Sequence, residues 1–330
     1  MGKFKAYRIR EIEKKVVARF EELSLEELDK GEVVIRVAYS SVNYKDALGA
    51  TGAGRIIRRF PCVGGIDLSG TVTESTDARF NRGDAVICTS YELGVAHDGG
   101  YAEYARVPAD WVVPMPKGMN LFEAMALGTA GYTAALAIVR MEANGLAPAN
   151  GPVIVSGATG GVGSIAVDVL SRLGYRVVAL TGKENEADYL KELGAGEVMS
   201  RKSLDLSKIK PLDKASWAGA VDNLGGEVLA WMASTMMPGG TIASIGLAAS
   251  MNLNTSVAPF ILRGVSLLGI DSGATPMPLR REVWQRLAGD MRPQHLEEMT
   301  RTIAFDDLPQ AFDGLLKGAA RGRIVVDLAA

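Results

Sequence analysis

The chain has 330 residues, of which 48% are apolar and 22% are charged, and its net charge at pH 7 is −2. This length and composition favour a globular protein of two domains, and the small net charge disfavours binding to nucleic acids or to membrane surfaces. No apolar run reaches the roughly 18 residues that span a bilayer, and the N-terminus has no apolar stretch of a signal peptide, so we expect a cytoplasmic protein without membrane association.

The first third of the chain predicts short β-strands separated by turns. Residues 32–43 (EVVIRVAYSSVN) alternate apolar and polar side chains and are rich in β-branched residues, which indicates a strand. The stretches LSGTVTES and DAVICTSY show the same pattern, with Gly, Pro and Asp turns between them. Many short strands with frequent turns are typical of a partly closed barrel or a sandwich.

The pattern changes near residue 120. Residues 120–141 predict a long, Ala-rich helix with Asn120 as a possible N-cap. Strands (PVIVSG, RVVALTG, the start of WAGAVDNLGG, and GTIASIG) then alternate with helical stretches, and the tail ends in one more β-type run. Such a series predicts a doubly wound α/β domain with a parallel sheet and helices on both faces.

A glycine-rich loop, SGATGGVGS at residues 156–164, lies between the first strand and the first helix of this series. Its spacing fits the dinucleotide fingerprint as Ala158-x-Gly160-x-x-Gly163, with Ala in the first glycine position. Gly160 allows the backbone to approach a pyrophosphate, Gly163 allows the helix to pack closely on the strand, and the helix N-terminal amides face the anion. We therefore predict a phosphate-binding loop, with a tight surface turn as the alternative.

The end of the second strand of the series favours NADPH. Thr181-Gly182-Lys183 stands where NAD-binding domains carry an acidic residue that binds the ribose. A hydroxyl and an ammonium group suit a 2′-phosphate, which a carboxylate would repel. Arg201, after the third strand, is a second candidate cation. Glu184 and Glu186 leave NADH open, and a solvated position at a helix start is the alternative for Lys183.

Several ordered segments resemble the medium-chain dehydrogenase/reductase superfamily along essentially the whole chain. They are residues 40–52, 60–72, 80–86, 99–108, 126–138, 155–174 and 190–195. The resemblance implies a β-rich, GroES-like catalytic domain at residues 1–125 and 305–330. It also implies a Rossmann NADPH-binding domain at residues 126–304.

Zinc-dependent members of that superfamily hold a catalytic metal with cysteine and histidine. By resemblance, the cysteine position falls at Asn43 and the histidine position at Ile66, and neither side chain is a zinc ligand. The structural zinc site of such enzymes needs four cysteines, whereas this chain has only Cys62 and Cys88, which we expect to be free, buried thiols. We therefore expect a metal-free domain, and without a Lewis acid we expect reduction of an activated double bond or a quinone.

Residues 43–70, 217–230 and 258–272 resemble one branch, the acrylyl-CoA reductases, which are also described as quinone oxidoreductases. That family reduces acryloyl-CoA to propionyl-CoA with NADPH, by hydride transfer to the β-carbon. The resemblance implies a set of cofactor-binding residues: Tyr44 beside the nicotinamide; Thr159, Gly160, Gly161 and Val162 at the pyrophosphate; Thr181, Gly182, Lys183 and Arg201 at the adenosine phosphate; and Leu247, Ile261 and Ser272 in the nicotinamide pocket.

Two further sets of side chains are candidates for the chemistry. Tyr44 is a candidate proton donor, with water as the alternative, and Asp67 is a catalytic candidate that orients Tyr44 or Lys45 or caps a turn. Arg55, Arg58 and Arg59 could receive the phosphates of coenzyme A or form a solvated face.

Two alternatives for the function remain at this stage, and one prediction concerns the assembly. The substrate could be a quinone or a free enone rather than an enoyl-CoA, and the protein could be a nucleotide-bound RNA-binding or sensing module. An apolar edge strand in the segment that contains residues 258–272 predicts a homodimer.

Overall fold

The computed structural model describes residues 2–328, which divide into two compact units. The first unit comprises the chain up to residue 129 together with residues 273–288 and those from 296 onward. The second comprises residues 130–272 and 289–295. The terminal boundaries predicted at residues 1 and 330 lie outside the described residues.

Ten elements form the N-terminal part of the chain: β1 Phe4–Ile12, β2 Lys15–Leu23, β3 Val33–Ser41, α1 Tyr44–Thr51, β4 Cys62–Val63, β5 Asp67–Ser75, β6 Ala85–Thr89, β7 Tyr104–Val107, β8 Val112–Pro114 and α2 Leu121–Ala143. The middle part forms β9 Val153–Ser156, α3 Gly161–Arg172, β10 Val177–Thr181, α4 Ala187–Glu192, β11 Glu197–Ser200, β12 Trp217–Asp222, α5 Gly226–Ser234, β13 Met236–Ser244, α6 Ala258–Arg263 and β14 Ser266–Gly269. The C-terminal part forms α7 Met277–Ala288, β15 Thr300–Ala304, α8 Leu308–Leu316 and β16 Arg323–Asp327.

The first unit is built on two β-sheets, as the sequence predicts. One sheet has the strand order β2-β1-β4, and the other has the order β15-β16-β3-β5-β6-β8, with β7 also paired to β3. Alternate side chains of these strands point into a common core that includes Ile35, Leu68, Tyr101 and Phe312. The hairpin of β1 and β2 was not predicted, because its strands carry many charged residues.

The second unit contains a six-stranded sheet in the order β11-β10-β9-β12-β13-β14, in which every pair is parallel. Numbered from β9, this is the 3-2-1-4-5-6 order of the Rossmann fold. Its central strands β9, β10 and β12 are buried along their whole length, and Ile154, Leu180, Ala220 and Ile242 lie in one core. The strand order reverses between β9 and β12, where such sheets bind ligands at the carboxyl edge. The predicted fold class is confirmed in both units.

The C-terminal segments divide differently from the predicted domain bounds. Residues 273–288 and 296–304 belong to the first unit, whereas the prediction placed them in the nucleotide domain. The physical reason is hydrogen bonding: β15 pairs with β16, which pairs with β3, and the buried Arg280 of α7 donates to the backbone oxygen of Thr89 at 3.1 Å.

Helix α2 begins as predicted and is interrupted at Gly128. The Asn120 side chain accepts from the Glu123 amide at 2.9 Å, and the Glu123 carboxylate accepts from the Asn120 amide at 3.0 Å. Gly128 has a non-helical backbone with φ of 51°. The helix is long and apolar enough to cross a membrane, unlike the expectation above, but 78% of its apolar window is buried within the protein. We interpret it as a core helix.

Candidate active site

The glycine loop follows β9 and leads into α3, and its shape explains the glycines. A Cβ atom at Gly163 would lie 2.3 Å from the backbone oxygen of Gly157 and 2.7 Å from the Cα of Ala158, so no side chain fits there. This contact confirms the close packing predicted for Gly163. At Gly160, the N-cap of α3, the nearest atom to such a Cβ is 3.3 Å away. A side chain at Gly160 would therefore be crowded by that backbone oxygen of Gly157, and the N-terminal amides of a 12-residue helix begin there.

The loop is fixed at its base by a buried polar network that the sequence analysis did not identify. Asp222 is fully buried at the end of β12, and its carboxylate accepts from the Ser156 hydroxyl at 2.8 Å and from the Gly225 amide at 2.8 Å. The Asn223 side chain donates to the backbone oxygen of Ser156 at 2.7 Å. Burial raises the pKa of Asp222, and these hydrogen bonds oppose the rise. The network joins the loops after β9 and β12, the two strands at which the order reverses.

The predicted adenosine-phosphate residues lie at the neighbouring carboxyl edge. Strands β10 and β11 pair in parallel with Thr181 opposite Ser200, so the residues that follow both strands are side by side. A Cβ at Gly182 would lie 3.3 Å from the Nη2 atom of Arg201, which places the guanidinium against this glycine. The Thr181 hydroxyl accepts from the Lys183 amide at 3.0 Å. The structure thus brings Thr181, Gly182, Lys183 and Arg201 together.

These features fit a dinucleotide. The glycine loop offers helix N-terminal amides for a pyrophosphate, and the ends of β10 and β11 offer a guanidinium and an ammonium for a phosphate on the ribose. Thr159 is buried within the loop, and Gly161 and Val162 open α3. Which atoms bind the cofactor stays a prediction for each of these residues.

The three predicted nicotinamide-pocket residues are spread over the second unit. Leu247 follows β13 and is 63% exposed, Ile261 lies on α6 and is 72% exposed, and Ser272 follows β14. Met251, Val257 and Leu262, in the same part of the chain as Leu247 and Ile261, are also exposed apolar side chains. Their assignment to a nicotinamide pocket stays a prediction.

In the first unit, Tyr44 is the first residue of α1, and its side chain is half exposed. The preceding Asn43 caps the helix, because its backbone amide donates to the Asp46 carboxylate at 2.9 Å. The Asn43 side-chain nitrogen also donates to Asp46 at 3.1 Å and to Asp67 at 2.8 Å. The residue in the position of the zinc-ligating cysteine is therefore a hydrogen-bonding bridge between two carboxylates.

Asp67 is the centre of this buried cluster. It is fully buried at the start of β5, and its carboxylate accepts from the Ser41 hydroxyl at 2.6 Å, the Thr129 amide at 2.9 Å and the Thr129 hydroxyl at 2.5 Å. Ser41 in turn accepts from the guanidinium of the buried Arg323 at 3.0 Å. Within residues 2–328, Asp67 makes no hydrogen bond to Tyr44 or Lys45. It caps the helical segment after Gly128 and holds the cluster together.

The electrostatics of the cluster follow from burying two carboxylates and one guanidinium. Burial, and then the nearby Asp67 charge, raise the pKa of Asp46 to about 7. Burial lowers the pKa of Arg323, and Asp67 and Asp46 oppose that shift. Burial and the same carboxylates raise the pKa of Tyr101, whose hydroxyl donates to the backbone oxygen of Ser41 at 3.0 Å.

The three candidate arginines are not one unpaired patch. Arg58 forms an ion pair with Glu92, and Arg59 pairs with Asp29 and, at 3.2 Å, with the buried Asp98. The side chain of Arg55 is exposed and makes no hydrogen bond or ion pair to any residue that the structure describes. Their role in binding substrate phosphates stays a prediction.

Both cysteines are free and buried, as predicted, and burial raises the pKa of each thiol to about 12. The side chain of Ile66 is buried, and its amide donates to Asp46 at 3.0 Å. In the part of the chain that the structure describes, no three His, Cys, Asp or Glu side chains are grouped to bind a metal. That the domain functions without metal stays a prediction.

Two family descriptions match the chain. Residues 29–117 match the alcohol dehydrogenase GroES-like domain, and residues 161–289 match the zinc-binding dehydrogenase family.

Relatives match along almost the whole length. The chain is 46% identical to "Acrylyl-CoA reductase AcuI" of Ruegeria pomeroyi, over 95% of both chains. It is 50% identical to "Putative quinone oxidoreductase YhfP" of Bacillus subtilis, over 93% of both chains, and the structure of that protein with NAD bound superposes with a TM-score of 0.96 over 99% of this chain and 100% of the other. The YhdH oxidoreductase of Salmonella enterica, solved in complex with NADP, is 42% identical with a TM-score of 0.96, over 98% of this chain and 99% of the other.

Proposed function

Because the chain belongs to the acrylyl-CoA reductase and quinone oxidoreductase family of the medium-chain dehydrogenases/reductases, we propose that it reduces the 2,3 double bond of a short enoyl-CoA with NADPH. Acryloyl-CoA is the preferred substrate, and propionyl-CoA is the product. The observation that carries this proposal is the 46% identity to an acrylyl-CoA reductase across 95% of both chains. The basic side chains at the ends of β10 and β11 support NADPH as the reductant.

The chemistry is a balanced two-electron reduction. When bound, NADPH would supply the hydride that adds to the β-carbon. The electron pair of the double bond then moves onto the thioester as an enolate, and a proton forms the new C–H bond at the α-carbon. Hydrogen-bond donors near the thioester oxygen would stabilise that enolate.

Tyr44 is the residue that we assign to proton donation. Its hydroxyl is on a half-exposed side chain, and the hydrogen bonds between Asn43 and Asp46 fix the start of its helix. Asp67 has its carboxylate saturated by donors from Ser41, Asn43 and Thr129, so we assign it a positioning role beneath Asn43. Arg55 is our candidate for the phosphates of coenzyme A, since Arg58 and Arg59 are already paired with carboxylates.

We also propose a cytoplasmic homodimer. Strand β14 is the last strand of its sheet, and within the described residues its outer edge has no partner strand. A group of exposed apolar side chains lies in the segments around it: Leu247, Met251, Val257, Ile261, Leu262 and Leu267. A second copy of the same surface would cover both the edge and these side chains. Sedimentation tests this assembly, with an expected mass of twice 35.0 kDa.

The test of the function compares two substrates under one set of conditions. NADPH oxidation is followed with acryloyl-CoA and with 1,4-benzoquinone, and kcat/KM is expected to be larger for acryloyl-CoA. Arg55→Ala should raise KM for acryloyl-CoA and leave KM for benzoquinone unchanged. A much larger specificity constant for the quinone would replace this proposal with the quinone oxidoreductase activity.

A further inference from the structure

The carboxylate of Glu184 lies near the basic residues that follow β10, and it is hydrogen-bonded to the end of the neighbouring strand β11. Glu184 comes directly after Lys183, and its Oε1 atom accepts from the Ser200 hydroxyl at 2.6 Å. The ammonium of Lys202 lies 3.6 Å from the Oε2 atom of the same carboxylate. Because Thr181 is opposite Ser200 in the parallel pair, the segment after β11 is in position to hold the segment after β10.

This carboxylate matters because of where acidic residues act in dinucleotide-binding domains. An acid just after the second strand of the fold accepts from the ribose hydroxyls of NADH and repels the 2′-phosphate of NADPH. Glu184 is only three residues beyond Thr181, the last residue of β10. The Ser200 hydrogen bond, and then the Lys202 charge, lower the pKa of Glu184, so the group is an anion at neutral pH.

We propose that Ser200 and Lys202 are positioning residues for cofactor selectivity, because they hold Glu184 against β11 and away from the ribose. The inference rests on the proposed function, in that it assumes a dinucleotide at the ends of β10 and β11. With Glu184 held, Lys183 and Arg201 are the groups that meet a phosphate. With Glu184 released, its carboxylate would repel the 2′-phosphate and accept a hydroxyl from NADH.

Relatives of this chain have been solved with different dinucleotides. YhdH was solved with NADP and YhfP with NAD, although both are more than 40% identical to this chain. The fold therefore accommodates either dinucleotide, and the two differ in the phosphate that would lie at the ends of β10 and β11. The contact between Glu184 and Lys202 can be removed by substitution without disturbing a buried core, because both side chains are more than half exposed.

The experiment measures dissociation constants of NADPH and NADH by the change in nucleotide fluorescence on binding, without substrate. Lys202→Ala should reduce the preference for NADPH over NADH by about 1.5- to fivefold, the size expected for exposed charges. Ser200→Ala should shift the preference in the same direction. Lys208→Ala, which removes an exposed charge from the same segment without touching Glu184, is the matched control and should leave the preference unchanged.

A double variant tests whether Lys202 acts through Glu184 or contacts the 2′-phosphate directly. In a Glu184→Gln background the carboxylate charge is gone, so adding Lys202→Ala should have no further effect on the NADPH:NADH ratio. If Lys202→Ala weakens NADPH binding equally in both backgrounds, Lys202 contacts the phosphate directly and the inference is wrong. If the wild-type protein binds neither nucleotide, the proposed function fails; if it binds both and no variant shifts the ratio, only this inference fails.

Discussion

The two units of the molecule bury a carboxylate in different ways. Asp67, in the first unit, is part of a network that also contains Asp46 and the buried guanidinium of Arg323. Asp222, in the second unit, is equally buried, but the hydrogen bonds to its carboxylate come from the Ser156 hydroxyl and the amides of Leu224 and Gly225. The Asp67 carboxylate is stabilised by a network that includes an opposite charge, whereas the Asp222 carboxylate is stabilised by the dipoles of a hydroxyl group and two backbone amides.

The two kinds of hydrogen-bonding partner imply different structural roles for Asp67 and Asp222. A charge network is stable only while its charges balance, so it ties together distant parts of the chain: Ser41 in β3, Asp67 in β5 and Arg323 in β16. A carboxylate held by amides needs those amides at fixed positions, so it determines the shape of a loop. We therefore expect the Asp67 cluster to matter most for stability, and the Asp222 network most for the phosphate-binding loop.

The largest expected effect is that of Arg323→Met. The variant leaves Asp46 and Asp67 buried without a cation, and the free energy of unfolding at pH 7 should fall by about 3–5 kcal/mol. Urea denaturation measures this change. Arg36→Met, at an exposed arginine on β3 of the same unit, is the control and should change stability by less than about 0.5 kcal/mol. Equal effects of the two variants would mean that charge balance does not stabilise the cluster.

The second expected effect is a pH dependence of the free energy of unfolding, which should be larger for the Asp67 cluster than for the Asp222 network. The pKa of Asp46 is about 7 in the folded protein and 3.8 as the reference value. Between these pH values the unfolded chain loses a proton that the folded chain keeps, so the free energy of unfolding falls as pH rises through this window. Below pH 4 both states are protonated, and this stabilising contribution is complete.

Asp46→Asn removes the titrating group. The free energy of unfolding should therefore fall less between pH 4.5 and pH 7.5 in this variant than in the wild type, by about 2–4 kcal/mol, as measured by urea denaturation at the two pH values. Burial also raises the pKa of Asp222, whereas the rise at Asp46 has a second cause, the charge of Asp67; hydrogen bonds oppose the rise at both carboxyls. Asp222→Asn should therefore flatten the pH dependence less than Asp46→Asn. An unchanged slope in Asp46→Asn would show that Asp46 is not the group responsible.

The sequence predicted the fold and the glycine loop because both depend on local patterns. Alternating strands and helices identify a parallel sheet, and Gly163 is required by contacts with Gly157 and Ala158 that lie only a few residues away. Asn43 and Asp46 form a helix-start pair three residues apart, a signal that could have been read from the sequence.

The rest of the buried networks could not be predicted in this way. Arg323 lies in RGRIVV, and nothing in that stretch distinguishes a buried guanidinium from an exposed one. Its partners are about 280 residues away, so the network exists only after β16 has paired with β3. Likewise, Ser156 and Asp222 are 66 residues apart and meet only because β9 and β12 are adjacent strands. Such contacts depend on topology, not on local sequence.

The smallest expected effect is that of Ser156→Ala, and it tests the dipole network alone. The variant removes the hydroxyl that donates to Asp222 and accepts from the Asn223 amide, and it leaves the two backbone donors of Asp222 in place. The free energy of unfolding should fall by only about 1–2 kcal/mol, because amides still solvate the carboxylate. NADPH affinity should also fall, since Ser156 anchors the base of the loop that precedes α3. Ser156→Thr, which keeps a hydroxyl, should restore that affinity. If Ser156→Ala lowers stability without changing NADPH affinity, the network supports the sheet rather than the loop, and the contrast between the two units would be one of stability alone.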